Sequence, residues 1–188
     1  MKFYPDNAPV PEENRTDRLL LRPLQTTDVE LDYDAVMSSA EQLRRWSQSI
    51  WPADDFTLAQ NLADLERHER EHNERKAFTY TVLNPQATKC LGCVYIEALW
   101  PEAEQLCPEA ESAAVVSFWV CTSEWPNDLN RHLLDTLQEW FKNDWAFDCV
   151  LFGTSPQDAR QPALFADSGL EQRLAFPLPN GGLYLVFR

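Results

Sequence analysis

The chain has 188 residues, enough for one domain with a sizeable core and too few for a second large catalytic unit. With 44% hydrophobic and 24% charged residues it does not carry the composition of a disordered chain. Thirty Asp and Glu against 16 Lys and Arg give a formal charge of -14 and no basic stripe, which excludes a phosphate backbone as a natural partner.

No run of about 18 apolar residues occurs, and Met1-Lys2-Phe3-Tyr4-Pro5-Asp6 lacks the apolar segment of a secretory signal. The expectation is therefore a cytoplasmic protein with no membrane partner. Five cysteines (Cys90, Cys93, Cys107, Cys121 and Cys149) are an odd number in a chain that can build a core without staples, so reduced thiols are expected.

Residues 1–15 carry three prolines and no period and read as an extended arm, leaving 16–188 as a single domain. Arg18-Leu-Leu-Leu-Arg-Pro-Leu24 is a short apolar run consistent with a buried strand. Thr26-Thr27-Asp28 offers a helix start, with helix to about Ser38 and again from Ala40 to Trp46. Thr57 caps a charged helix to about Arg75 in which Leu58, Leu62 and Leu65 form one stripe. Phe78–Leu83 and Cys90–Ile96 read as a hairpin about Asn84-Pro85-Gln86, and residues 100–112 as an acidic loop. Ala113–Val120 is a third strand. A helix follows, with Leu129, Leu133, Leu137, Trp140 and Phe141 on one face. Val150–Phe152, a short helix from Pro162 to Ser168 stopped at Gly169, and Leu183–Phe187 complete the order. The sequence βααββ then βαβαβ predicts an α/β (α+β) fold, a mixed sheet with helices on both faces.

Two motifs invite a metal. His68-Glu69-Arg70-Glu71-His72 sets two imidazoles one helical turn apart, as in helical zinc sites. Its neighbours are almost all charged, so a solvated helix face and no metal is the expectation. Cys90 and Cys93 form a lone C-x-x-C whose members, three apart on a strand, should point to opposite faces.

Thr16-Asp-Arg-Leu-Leu-Leu-Arg-Pro-Leu24 with Thr27-Asp28, Phe118-Trp119-Val120 at the end of the central strand, and Leu164-Phe-Ala-Asp-Ser-Gly-Leu170 together resemble the GNAT superfamily of acyl-CoA-dependent N-acyltransferases over residues 16–188. The resemblance implies a mostly antiparallel central sheet flanked by helices, with acetyl-CoA as co-substrate and a small-molecule or peptide amine as partner. It also implies a pyrophosphate held on backbone N–H groups at a helix start, where the macrodipole favours anions. Trp119, Val120, Cys121, Asn127, Leu129, Asn130 and Arg131 are the cofactor-binding residues it implies. Pro126, Asp128 and Asn130 stand where the family carries glycines, so Pro126 removes a donor and Asp128 is expected to compete for the anion site as an N-cap. Arg131 and His132 are the cationic substitutes.

Val115 and Phe165 replace the family's usual acid–base residues, and Asp158 aligns near a late Asn. Tyr95 and Glu97, two apart on one strand face, are the candidate catalytic residues, with Glu97 as base. The sequence thus points to an N-acetyltransferase acting on an amine; the alternative is a non-catalytic module of the same fold whose acetyl-CoA site has decayed.

Overall fold

The structure is a computed structural model describing residues 1–188. Eight strands form one sheet in the order β1-β2-β3-β4-β5-β6-β8-β7. They are β1 (Asn14–Arg15), β2 (Leu20–Pro23), β3 (Phe78–Leu83), β4 (Cys90–Ala98), β5 (Ala113–Val120), β6 (Cys149–Thr154), β7 (Gln172–Pro177) and β8 (Leu183–Phe187). All neighbours are antiparallel except β5 and β6, which run parallel. The five helices are α1 (Val29–Ser38), α2 (Ala40–Ser47), α3 (Leu58–Asn73), α4 (Leu129–Asn143) and α5 (Arg160–Asp167). No helix is long and apolar enough to cross a membrane.

Strand alternation sends two sets of side chains to two cores. Tyr80, Val94, Ile96, Val116 and Phe118 meet Leu133, Leu134, Leu137 and Trp140 of α4 and Phe165 of α5. On the other face Cys93 and Trp119 meet Val36 of α1, Leu43 of α2 and Leu65 of α3. The α4 spacing behaves as its sequence demands: Leu129, Leu133, Leu137, Trp140 and Phe141 are all buried. The α3 stripe does not. Leu65 is buried while Leu58 and Leu62 remain exposed.

Three further differences have local causes. The N-terminal arm lies on the first core, where Tyr4 meets Phe78, Trp145 and Phe147 and donates a hydrogen bond to the Pro9 carbonyl. Cys90 and Cys93 share a core because the β3–β4 register slips between Val82 and Leu83, adding a residue to β4. Gly92 sits at that slip against β5, where a Cβ would come 2.1 Å from the Trp119 carbonyl oxygen. Finally, Cys107 and Cys149 are joined by a disulfide, correcting the expectation of five reduced thiols; Cys90, Cys93 and Cys121 are free and buried. The acidic segment before β5 contains a short 3-10 helix, Pro101–Leu106, whose Ala103 is buried beside that disulfide.

Candidate active site

Pairing between β5 and β6 starts at Ala113 and Cys149 and ends at Val116 and Phe152, although both strands continue. Beyond that point the strands diverge, and α4 and α5 begin near the open end. A crevice of about 180 Å³ forms there, lined by Trp119 and Val120 of β5, Asp128 and Asn130 at the start of α4, Arg160 and Gln161 of α5, and Gln42 of α2.

The start of α4 presents free hydrogen-bond donors. Asp128 takes a left-handed conformation, φ 55°, and its side chain makes no cap. The expected competition from an Asp128 N-cap is therefore absent. The first helical bond is His132 N–H to the Asp128 carbonyl, 3.2 Å, so the N–H groups of Leu129, Asn130 and Arg131 have no backbone or side-chain acceptor. Across the crevice, buried Gln42 donates from Nε2 to Asp158 at 3.0 Å and leaves Oε1 without a donor. An anion and an amide N–H would complete these two sets, which are the groups a pyrophosphate and a pantetheine arm carry. The residues present fit acetyl-CoA in that sense.

The cations differ from those the sequence singled out. Arg131 donates to Ser168 Oγ, and His132 Nε2 is 2.9 Å from Thr16 Oγ1, so both side chains are engaged elsewhere. Arg160 lies in the crevice with its guanidinium 4.0 Å from the Trp125 ring centroid, and Arg18 donates to the Asn127 carbonyl. Leu129 is buried in the core. Cys121 stands apart from the crevice: its N–H donates to the Leu91 carbonyl at 2.8 Å and its thiol packs towards Ala35. Gln161, on no one's motif, bridges the divergence itself. Its Nε2 donates to the Phe118 carbonyl at 2.7 Å and its Oε1 accepts from Thr154 Oγ1 at 2.5 Å.

On the α1–α3 face of the sheet, a second cavity of about 340 Å³ contains Tyr95 and Glu97 of β4 and Ser117 of β5. Its remaining wall includes Asp32, Trp46, Trp51, Asp64, Arg67 and His68. Trp119 reaches from the crevice towards this cavity and donates from Nε1 to Tyr95 Oη at 3.2 Å. The two spaces thus meet across one hydrogen bond. Burial, with the Cys93 thiol nearby, pushes the Tyr95 hydroxyl well above its usual range and keeps it protonated. Glu97 is exposed on β4 at the open side of the cavity, yet the protein atoms packed around its carboxyl raise its pKa, as does Glu71, with Arg67 opposing.

The histidines of the H-E-x-x-H segment do not sit on a solvated face. His68 is only 16% exposed, lies tilted against the Tyr95 ring and is 3.2 Å from Thr79 Oγ1. His72 lies edge-on to Phe78 and Tyr80. Burial lowers the pKa of both, that of His68 to about 4. With Arg67 Nη2 3.0 Å from Nε2, the His68 ring accepts there and donates to Thr79, so neither nitrogen is free to act as a base.

A sheet split after its fifth strand, with a helix start and a polar cavity at the split, is the architecture of an acyl-CoA-dependent acetyltransferase. The chain belongs to the GNAT family: the model of the acetyltransferase (GNAT) domain matches residues 18–171. No curated protein sequence matches it. Among solved structures, it is similar to the microcin C7 self-immunity acetyltransferase MccE in complex with acetyl-CoA and AMP (12% identity, 95% and 96% of the two chains, TM-score 0.73). It is also similar to RimL, the ribosomal L7/L12 α-N-protein acetyltransferase in complex with coenzyme A (13%, 92% and 93%, 0.69). A third likeness is the ribosomal-protein-S5-alanine acetyltransferase of Vibrio fischeri (14%, 93% and 94%, 0.69).

Proposed function

We propose that the protein transfers an acetyl group from acetyl-CoA to an amine, with the donor in the β5–β6 crevice and the acceptor in the cavity of Tyr95 and Glu97. One observation carries this reading: the two spaces lie on either side of the Trp119–Tyr95 hydrogen bond, so a ligand in each can meet at the end of β5. The free N–H groups of Leu129, Asn130 and Arg131 hold the pyrophosphate, Gln42 Oε1 accepts from the pantetheine arm, and the backbone of Trp119 and Val120 lies beside the thioester. Asn127 contributes backbone to the turn before α4.

Acetyl-CoA, when bound, supplies an activated acyl thioester. Glu97 takes a proton from the incoming ammonium, directly or through water, and so frees the nitrogen lone pair to form the N–C bond as the C–S bond breaks. Burial raises its pKa above the ordinary glutamate range, which makes it a stronger base than an exposed carboxylate. Tyr95, held protonated, delivers a proton to the departing sulfur and is restored by the second proton that the nitrogen sheds as it becomes an amide; the first proton stays on Glu97 until solvent removes it.

A second reading has one observation in its favour. Gln161 already satisfies the Phe118 carbonyl within the β5–β6 divergence, as a side chain would if nothing else entered there. In that case the protein is a non-catalytic module of the same fold. Calorimetry with acetyl-CoA separates the two: binding that is lost when Asn130 is changed to Pro, which blocks one N–H, supports the transferase, and absence of binding supports the module.

A further inference from the structure

The second cavity holds a carboxylate that the proposed chemistry does not use. Asp32, on α1, is 5% exposed and lines the cavity floor. Asn61 Nδ2, 2.9 Å from Oδ2, is its one side-chain donor. The nearby cations are committed elsewhere: Arg22 is paired with Asp28 at 2.6 Å, and Arg67 lies 3.3 Å from Glu71 and 3.8 Å from Asp64. No basic group reaches Asp32. A buried carboxylate without a cation is costly, and a fold that keeps one beside a cavity presents an unfilled site for positive charge.

The cavity's other features agree. Its lining carries three carboxylates, Asp32, Asp64 and Glu97, against the single guanidinium of Arg67. Trp46, Trp51 and Tyr95 supply aromatic faces that attract cations, and Leu24, Val36 and Leu65 supply an aliphatic wall. The charges stand at two ends. Asp32 enters the lining from α1, beside Asn61 and Asp64 of α3, whereas Glu97 enters it from β4. Tyr95 separates them, with Glu97 a further two residues, about 7 Å, along β4.

We propose that this cavity binds a short aliphatic amine with two cationic nitrogens, one seated on Asp32 and the other presented at Glu97. This rests on the transferase reading and names its acceptor class. The nitrogen at Glu97 gives one proton to that carboxylate and takes the acetyl group, the departing thiolate takes the Tyr95 proton, and the second proton shed by the nitrogen restores Tyr95. The nitrogen at Asp32 keeps its protons and its charge and fixes the chain between the aromatic rings. A single positive end can occupy Asp32 or reach Glu97, but not both.

The test is calorimetric titration of the full chain, without acetyl-CoA, with putrescine and with butylamine, which differ by one terminal nitrogen. Putrescine should bind at least about tenfold more tightly, and Asp32→Asn should remove that advantage, since neutralising one partner of a buried charge contact forfeits most of it. Thermal unfolding establishes that the variant is folded. Asp64→Asn, at a partly exposed position, should weaken putrescine by about threefold, a rim-charge effect, and keeps the comparison open should Asp32→Asn fail to fold. Equal affinity for the two amines in the natural chain, or an unchanged putrescine advantage in Asp32→Asn, overturns the proposal. Because acetyl-CoA is absent, the outcome is separable from the transferase reading: putrescine bound as described but never acetylated would retire the reaction and leave the site.

Discussion

Trp119 of β5 donates from its indole nitrogen to the Tyr95 hydroxyl of β4 across 3.2 Å, and this bond is the partition between the crevice at the split of the sheet and the cavity beneath α1–α3. Its donor is almost wholly buried. Tyr95→Phe leaves that N–H without an acceptor and should cost about 1–3 kcal/mol of stability. Denaturant unfolding of the variant measures this. In amine acetylation the same variant should lose less turnover than a change at Glu97, because water can still protonate the departing sulfur.

Glu97→Gln should lower turnover at neutral pH by roughly 10²-fold or more, the usual scale of a lost general base. The pH profile carries the sharper signature. Activity requires the carboxylate form, so the rate of the natural protein should rise with pH through a limb lying above the ordinary glutamate range, as the raised pKa dictates. That limb should vanish in Glu97→Gln. Steady-state rates across pH 4 to 8 supply the comparison.

Asp128 occupies a left-handed position at the foot of α4, where a non-glycine residue pays a conformational cost. Asp128→Gly should stabilise the fold by about 1 kcal/mol and remove a negative charge from the rim of the crevice. Acetyl-CoA binding, expected in the natural chain with a dissociation constant on the order of 0.1 mM or weaker, should tighten in the variant. Calorimetry with both proteins decides it.

Asp32 and His68 make opposite demands on stability. Burial raises the Asp32 pKa from 3.8 to about 6, so ionised Asp32 destabilises the fold above pH 6, and that penalty is relieved as pH falls from about 6 towards 4. Burial lowers the His68 pKa from 6.5 to about 4, so the folded state resists protonation and stability is lost as pH falls through the same window. Each shift corresponds to about 3 kcal/mol, and the two nearly cancel in the natural chain. Asp32→Asn should therefore be more stable at pH 7 by up to about 3 kcal/mol and lose stability more steeply below pH 6. Urea unfolding at pH 7 and pH 4.5 reads both signs.

The sheet and helices were largely legible because they follow local periodicities: the α4 stripe, the β3–β4 hairpin and the Gly169 stop all appear where spacing puts them. Apart from β7, the hairpin partner of β8 whose polar start hides it, what the spacing does not show depends on contacts made across long separations. The Cys107–Cys149 bond spans 42 residues, and the face of Cys90 is set by a register slip at Gly92 that strand alternation cannot foresee. The candidate site divides in the same way. Strand alternation places Tyr95 and Glu97 on one face, and both line the second cavity, while Trp119, Val120 and Asn130 flank the strand-to-helix turn and line the crevice. Gln42, Gln161 and Asp32 carry no motif; they matter only because α2, α5 and α1 fold against the split in the sheet. The burial of His68 and His72 is hidden for a related reason, since a charged neighbourhood in sequence masks one helix face turned towards β3 and β4.

The most direct test of the account is transfer of labelled acetyl from acetyl-CoA to amines, measured for the natural chain and for Glu97→Gln. The account predicts acetyl-CoA-dependent labelling of a primary amine by the natural protein and its near loss in Glu97→Gln. Labelling unchanged in Glu97→Gln, or none with any amine while acetyl-CoA binds, would contradict it.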